Sequence, residues 1–238
     1  MKFKMNRLIS ICLFLFINTQ SVSQGAPFEI KMVSFSSGPL LLKGIIYKPK
    51  GSGPFPAILF NHGSSFETHE ASDALGPLFA SHGWVFFMPS RRGQGLSRHV
   101  GHYIINEIDN ARNKGGDAFA VDMMVQLLKG DHLNDQMAAL AWLRKQSFVA
   151  SNKIAVAGVS FGGIQTVLGV EKANYCAAIN AAGAAQSWSK APQLHKLMLH
   201  AVKNAKAPIF FFQAGNDYDL SPTNVLSTAM KETRKNFK

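Results

Sequence analysis

The chain has 238 residues, of which 47% are apolar and 16% are charged. This composition excludes an intrinsically disordered protein and fits one domain, or at most two small ones. The formal net charge is +11, but the basic residues are scattered and no basic run is interleaved with aromatic residues, so nucleic-acid binding is not predicted.

The N-terminus has the pattern of a secretory signal. Three basic residues within the first seven precede an apolar run at 8–17. As a helix this run would cross only about 15 Å, which is too short for a membrane anchor. We predict that residues 1–23 are a signal peptide removed after Ser23. The mature chain, residues 24–238, is then expected in the periplasm or the medium, without a stable membrane anchor.

The first predicted elements of the mature chain form a hairpin. Apolar and charged residues alternate over 28–32, which predicts a half-buried strand. A second apolar stretch at 41–47 predicts another strand, and Ser37-Gly38-Pro39 predicts the turn between them.

The pattern then changes to short apolar runs separated by helical patterns. The runs are 57–61, 84–88, 153–158, 176–180 and 208–213, and the helical patterns are 73–82, 134–146, 161–170, 193–204 and a last helix with Ser221 as its N-cap. This alternation predicts an α/β fold, with a mostly parallel sheet, an N-terminal antiparallel hairpin and helices on both faces. Cys176, the one cysteine after the signal, is predicted to be buried. Residues 90–132 are predicted as a long connection with only a weak helical pattern near 117–128, which could cover a site.

The pentapeptide Gly158-Val159-Ser160-Phe161-Gly162 carries the strongest chemical signal. It matches the G-x-S-x-G elbow, in which a sharp turn between strand and helix exposes a serine nucleophile. Side chains at the flanking glycines would collide across such a turn. The alternative is a plain glycine-rich turn, but the apolar strand before it and the helical pattern after it favour the elbow.

Four further segments extend this match. They are Asn61-His-Gly-Ser after the third predicted strand, Pro89-Ser-Arg-Arg-Gly-Gln-Gly after the fourth, Ala138-Ala-Leu-Ala-Trp-Leu-Arg in the helix before the elbow, and Gln213-Ala-Gly-Asn-Asp-Tyr-Asp-Leu-Ser-Pro after the seventh. With them the chain resembles the α/β-hydrolase superfamily, in its dienelactone-hydrolase-like and prolyl-oligopeptidase-like branch, from Phe28 to Met230. Dienelactone hydrolases proper carry cysteine at the elbow, and the serine here favours ester or peptide-like acyl substrates.

The resemblance implies a role for each site residue. Ser160 would attack an acyl carbon. The N–H of Phe161 and an N–H near Ser64 would form the oxyanion hole. Asp217 matches the acid of the catalytic triad, with Asp219 as the alternative; both could instead be helix N-terminal charges.

The histidine that this family places after the acid has no match. No histidine follows Asp217, so we expect the family's last strand, its histidine-bearing loop and its last helix to be absent from this chain. His62 is predicted to shape its turn rather than transfer protons. Arg91 and Arg92 are predicted to stabilise their loop. We predict no cofactor and no metal.

These observations leave three hypotheses. The leading one is an exported serine hydrolase, a carboxylesterase or dienelactone-hydrolase-like acyl hydrolase, that cleaves a small-molecule ester through an acyl-enzyme at Ser160. The second is a catalytically impaired remnant that keeps only a binding role. The third is an interaction module that uses an unpaired edge of the sheet.

Overall fold

A computed structural model describes residues 27–233, so the predicted signal peptide lies outside the described residues. The chain begins with the expected hairpin, formed by β1 (Phe28–Ser37) and β2 (Leu40–Pro49). The two strands pair antiparallel over their full length, from Phe28 opposite Pro49 to Ser37 opposite Leu40. Gly38 turns the chain at φ 55°, a conformation that glycine adopts without a steric penalty.

The remaining strands extend this hairpin into one mixed sheet. They are β3 (Phe55–Asn61), β4 (Val85–Pro89), β5 (Val149–Val159), β6 (Ala178–Ala181) and β7 (Ile209–Phe212). The order across the sheet is β1-β2-β4-β3-β5-β6-β7. β2 pairs antiparallel with β4, and every later pair is parallel. The predicted α/β fold with a mostly parallel sheet is therefore confirmed.

Helices cover both faces of this sheet. They are α1 (His69–Ser81), α2 (Ile104–Lys129), α3 (Asp131–Arg144), α4 (Phe161–Lys172), α5 (Pro192–Lys203) and α6 (Ser221–Glu232). Helices α2 to α6 pack on one face, where Leu59, Val156 and Ile209 belong to the larger apolar core. On the other face, α1 packs over a smaller core that contains Phe60 and Phe86.

The second face is open beyond α1. Val159, Phe210 and Phe212 are 37%, 45% and 60% exposed there. Within residues 27–233, β7 pairs with β6 alone and forms one edge of the sheet. No helix in this part of the chain is both long enough and apolar enough to cross a membrane.

Residues 90–132 differ from the prediction. In place of a long connection, α2 occupies 104–129, and it is broken at Gly115 and Gly116. Gly116 has φ 77° and ψ −167°, a conformation almost confined to glycine. The break divides α2 into two arms whose apolar residues lie at different angles around the helix axis. A single helical repeat of apolar residues therefore does not run through both arms, and the sequence pattern is weak.

Two smaller predictions are wrong. Cys176 is exposed, because β6 begins only at Ala178 and the cysteine precedes it. Ser221 is the first residue of α6 rather than its N-cap, which is Leu220. The side chain of Asp219 accepts a hydrogen bond from the Ser221 N–H at 2.8 Å and takes over the capping role.

Candidate active site

Ser160 lies between the end of β5 and the first residue of α4. Its backbone has φ 55° and ψ −120°, which is strained for any residue with a side chain. The Ser160 N–H donates to the carbonyl of Ala181 on β6 at 3.0 Å, and its own carbonyl accepts from the Ile164 N–H at 3.1 Å. These two bonds hold the turn between the sheet and the helix, with the serine partly exposed at the carboxyl end of the parallel strands.

The neighbouring glycines are required by close backbone contacts. A Cβ on Gly158 would lie 2.2 Å from the carbonyl oxygen of Gly162, and one on Gly162 would lie 1.9 Å from that of Asn61. A Cβ on Gly163 would lie 2.8 Å from the Cα of Gly183. Real Cβ atoms do not approach so closely, so these positions exclude side chains and let α4 pack directly on the sheet.

The turn after β3 lies beside the serine. β3 and β5 are paired with Asn61 opposite Gly158, so His62, Gly63 and Ser64 follow at the same edge of the sheet. A Cβ on Gly63 would lie 3.7 Å from the Cβ of Ser160. The turn and the start of α4 therefore meet at the serine, as an oxyanion hole requires.

The two predicted oxyanion donors lie in these segments. Phe161 is the first residue of α4, so its N–H has no partner within the helix and lies at the positive end of the helix dipole. The carbonyl of Ser64 accepts a hydrogen bond from the Tyr103 hydroxyl at 2.7 Å, which ties the turn to the residue before α2. The assignment of both N–H groups to an oxyanion stays a prediction.

Arg91 joins the turn to the elbow helix from inside the protein. Its side chain is 3% exposed. The guanidinium donates to the carbonyl of His62 at 2.8 Å, and also to the carbonyl of Gly63 and to the side chain of Gln165 on α4. Burial lowers the pKa of Arg91 to about 9, so it keeps its charge at neutral pH. The prediction that Arg91 stabilises its loop agrees with these contacts.

The His62 imidazole is part of the same network. Its Nε2 accepts from the Arg91 N–H at 3.2 Å, and its Nδ1 lies 2.9 Å from the Gly63 carbonyl oxygen and 3.0 Å from a nitrogen of the Arg91 guanidinium. Burial, reinforced by the Arg91 charge, lowers the pKa of His62 well below its usual value. Both nitrogens are engaged, which supports a role in shaping the turn rather than in proton transfer.

Arg92 has a separate set of partners. Its side chain forms a two-pronged pair with the buried carboxylate of Asp135, at 3.0 and 2.8 Å, and a further ion pair with Asp131 at 2.6 Å. Asp135 also accepts from the Ser37 hydroxyl at 2.6 Å. Arg92 therefore ties its loop to α3 and, through Asp135, to the N-terminal hairpin, which agrees with the predicted role in stabilising the loop.

The two candidate acids lie in the loop between β7 and α6. Asp217 accepts from the Tyr218 N–H at 2.8 Å and from the Gln213 side chain at 3.1 Å. Asp219 accepts from the Ser221 N–H, and the Ser221 side chain, followed by this N–H and then by His195, lowers the pKa of Asp219. Because Asp219 caps a helix, Asp217 remains the better candidate for the acid.

None of the chain's eight histidines, all within residues 27–233, forms a hydrogen bond with Ser160. His132 is buried, and neither ring nitrogen has a hydrogen-bond partner in this part of the chain. His195 bonds the Trp188 carbonyl and stacks on its ring, and His200 pairs with Glu171 at 3.2 Å. The other four, apart from the buried His62, are exposed on the surface: His69, His82, His99 and His102.

The sequence assigns no role to several supporting residues, although one of them, Gln94, lies in the segment that follows the fourth predicted strand. Gln94 donates to the Ser65 carbonyl at 2.7 Å, Gln165 binds Arg91, and Tyr103 binds Ser64. Their residue types have no special chemistry, and only tertiary contacts bring them to the site. Within the described residues, no three His, Cys, Asp or Glu side chains are grouped to hold a metal ion. The absence of a metal or cofactor from the reaction stays a prediction.

A groove of about 960 Å³ lies next to the elbow, between α2 and the chain from Gln186 to Lys196. We call it the α2–α5 groove. Phe161 lines it, so the groove reaches the residue that follows Ser160. Its size is that of sites for small organic molecules.

Comparison with known proteins agrees with this geometry. The sequence profile of the dienelactone hydrolase family matches residues 42–238. No curated protein sequence matches the chain. Among solved structures, acylaminoacyl peptidase from Pyrococcus horikoshii is 20% identical with a TM-score of 0.65, and dipeptidyl peptidase 4 from Porphyromonas gingivalis is 19% identical with a TM-score of 0.64. The alignments cover 89% and 90% of this chain but only 36% and 31% of the peptidases, so the chain spans about a third of their length.

A third structure is similar over most of its own length. It is a dienelactone hydrolase-like promiscuous phosphotriesterase from metagenomic libraries, with 14% identity and a TM-score of 0.64. The alignment covers 90% of this chain and 80% of that protein. At these identities the structural likeness establishes the α/β-hydrolase fold, while the profile match establishes the family.

Proposed function

Since the chain belongs to the dienelactone hydrolase family, we propose that it is a serine hydrolase that cleaves small-molecule esters through an acyl-enzyme at Ser160. The observation that carries this proposal is the strained φ of 55° at Ser160, with Gly63 of the neighbouring turn beside it. Such strain occurs mainly where a residue is held for its chemistry.

The proposed reaction has two steps. In the first, Ser160 Oγ bonds to the acyl carbon, the hydroxyl proton passes to the leaving alkoxide through a base, and the alcohol departs. In the second, water attacks the acyl-enzyme, and the acid is released as Ser160 regains its proton. The negative charge on the carbonyl oxygen is stabilised by the N–H of Phe161 and by the turn at Ser64. Asp217 would orient a base.

The identity of the base determines the rate. No histidine of residues 27–233 bonds Ser160, and a serine without a base is a weak nucleophile. We therefore expect slow acylation, with a residual acceleration of about 10³–10⁴-fold over water from the oxyanion hole and binding. The same observation favours a second candidate function, in which the chain binds acyl compounds without turning them over.

A fluorophosphonate probe tests the proposal. We expect the full chain to be labelled slowly at Ser160 and the Ser160→Ala chain not to be labelled, as read by intact mass and peptide mapping. Ser151→Ala, at an exposed serine in the first half of β5, is the matched control and should be labelled like the parent. Labelling that survives in Ser160→Ala, or no labelling of the parent after prolonged exposure, would contradict the hydrolase proposal. Complete absence of labelling together with retained ligand binding would favour the binding-only function.

We also propose that the protein is exported, on the basis of the basic and apolar pattern before Ser23. Expression of the full reading frame in a bacterial host, followed by cell fractionation, tests this. N-terminal sequencing of the envelope or medium fraction should begin at Gln24. Recovery of the uncleaved chain in the cytoplasm alone would refute export.

A further inference from the structure

The α2–α5 groove is built by the break in α2. Ile105 and Ile108 come from the arm before Gly115, and Val121 and Met124 come from the arm after it. In a continuous helix these two pairs would lie on nearly opposite faces, because the 16 residues from Ile105 to Val121, or from Ile108 to Met124, turn the chain by about 160° beyond whole turns. The break lets both arms line the same groove, so that both contribute to a common apolar wall. The wall continues to Phe161, next to the proposed nucleophile.

The opposite wall carries positive charge. Lys190 and Lys196 line the groove, are exposed, and form no ion pair within the described part of the chain. Across the groove, Arg112 is already paired with Asp109 at 2.5 Å and with Asp117 at 3.1 Å. The α2 side of the groove lining thus carries one guanidinium and two carboxylates, Asp109 and Asp117, whereas the α5 side presents two ammonium groups. A ligand that extends from the elbow meets apolar side chains and two unneutralised ammonium groups.

We propose that this groove binds the acyl part of the substrate, and that the substrate is an elongated ester whose acyl chain ends in an anionic group such as a carboxylate. This rests on the proposed function, because it places the ester carbonyl at Ser160. The aliphatic part covers Ile108, Val121 and Phe161, and the anion lies by Lys190 and Lys196. A compact lactone would leave most of the groove empty.

Binding to the Ser160→Ala chain tests this without turnover. The two probes are monomethyl suberate, an ester whose eight-carbon acyl chain ends in a carboxylate, and methyl octanoate, its neutral counterpart. We expect at least tenfold tighter binding of monomethyl suberate at low ionic strength, measured by titration calorimetry or by NMR shifts. Lys190→Glu combined with Lys196→Glu should remove that preference and leave methyl octanoate within about twofold, because charge acts only on the anion.

Two matched controls locate the site. Lys153→Glu, at an exposed lysine in the first half of β5, should leave the preference intact. Ala118→Trp, which places an indole in the groove from an exposed position, should weaken both probes at least fivefold. Gln126→Trp, in a separate depression on α2, should weaken neither.

The outcomes separate this inference from the proposed function. Equal binding of the two probes, or an equal loss of preference in Lys153→Glu, overturns the groove assignment. Labelling of Ser160 by the phosphonate is measured in the parent chain and does not depend on these lysines. A labelled Ser160 with no suberate preference would therefore refute the groove alone, and an unlabelled Ser160 with the preference would refute only the hydrolase.

Discussion

The two parts of the candidate site are held in different ways. The serine side is fixed by contacts between distant segments, among them Asn61 Nδ2 to Thr166 Oγ1 at 3.1 Å and Arg91 to Gln165. The acid loop after β7 is held by bonds within itself, such as Gln213 to Asp217 and Gln213 to the Asp219 carbonyl. Tertiary packing therefore determines where Ser160 lies, whereas the hydrogen bonds of Asp217 within the described residues are short-range.

The largest expected effect tests the serine side. Arg91→Met should lower the free energy of unfolding by about 3 kcal/mol or more, because it leaves buried carbonyls at His62 and Gly63 without their donor. Urea denaturation followed by circular dichroism measures this. Phosphonate labelling of Ser160 should also slow, since the turn at His62 and Gly63, which carries the proposed oxyanion donor, loses its support.

A variant in the loop between β7 and α6 provides the comparison with Arg91→Met. Asp217→Asn keeps the acceptor for the Tyr218 N–H and sits on a partly exposed loop, so stability should change by no more than about 0.5 kcal/mol. If the two variants were equally stable, the contrast between the two parts of the site would be wrong.

A pH-dependent effect, smaller than that of Arg91→Met, comes from His132, whose neighbours include Arg91 and Arg92. Burial, with help from the charges of Arg91 and Arg92, lowers the pKa of His132 well below its usual value. Because the pKa of His132 is lower in the folded protein, the unfolded chain takes up the proton at a higher pH than the folded chain does. The free energy of unfolding therefore keeps its full value above pH 6.5 and decreases as the pH falls below 6.5. Between pH 7.5 and 5.5 this histidine should cost about 1 kcal/mol of unfolding free energy.

His132→Leu provides the measurement. Leucine removes the titrating group and both unpartnered nitrogens, so the variant should lose less stability than the parent over the same acid range. His62 is present in both chains, and because burial and the Arg91 charge dominate the lowering of its pKa, with His132 the smallest cause, its contribution largely cancels in the difference. An identical pH dependence in the two chains would show that His132 is not held neutral in the folded protein.

The fold and the turn around Ser160 could be predicted from the sequence, because the residues that tertiary contacts require there also form a recognisable local pattern. Gly158 and Gly162 are required by close contacts, and they frame Ser160 in a recognisable order. The sequence shows only a weak helical pattern for the arm of α2 after Gly116 and none for the arm before Gly115, because the two glycines break the period, so the groove between them and α5 is not predicted. Cys176 was misplaced because an apolar run does not show where a strand begins.

The support for the oxyanion turn could not be predicted for a different reason. Arg91 was singled out, but its partner Gln165 is 74 positions away and has a residue type that forms hydrogen bonds in many settings. The choice between Asp217 and Asp219 was likewise open from the sequence. The structure shows that Asp219 binds the Ser221 N–H at the start of α6, which favours Asp217, and the assignment of the acid stays a prediction.

The positive φ at Ser160 also bears on how this chain would evolve. A residue with a side chain costs roughly 1 kcal/mol or more in that conformation, and glycine would relieve much of the cost. A lineage under selection for stability alone would therefore tend to exchange Ser160 for glycine, whereas the crowded Gly162 and Gly163 would persist in any stable descendant. Among natural variants of this chain, a serine kept at position 160 would therefore indicate retained chemistry more clearly than glycines kept at positions 162 and 163.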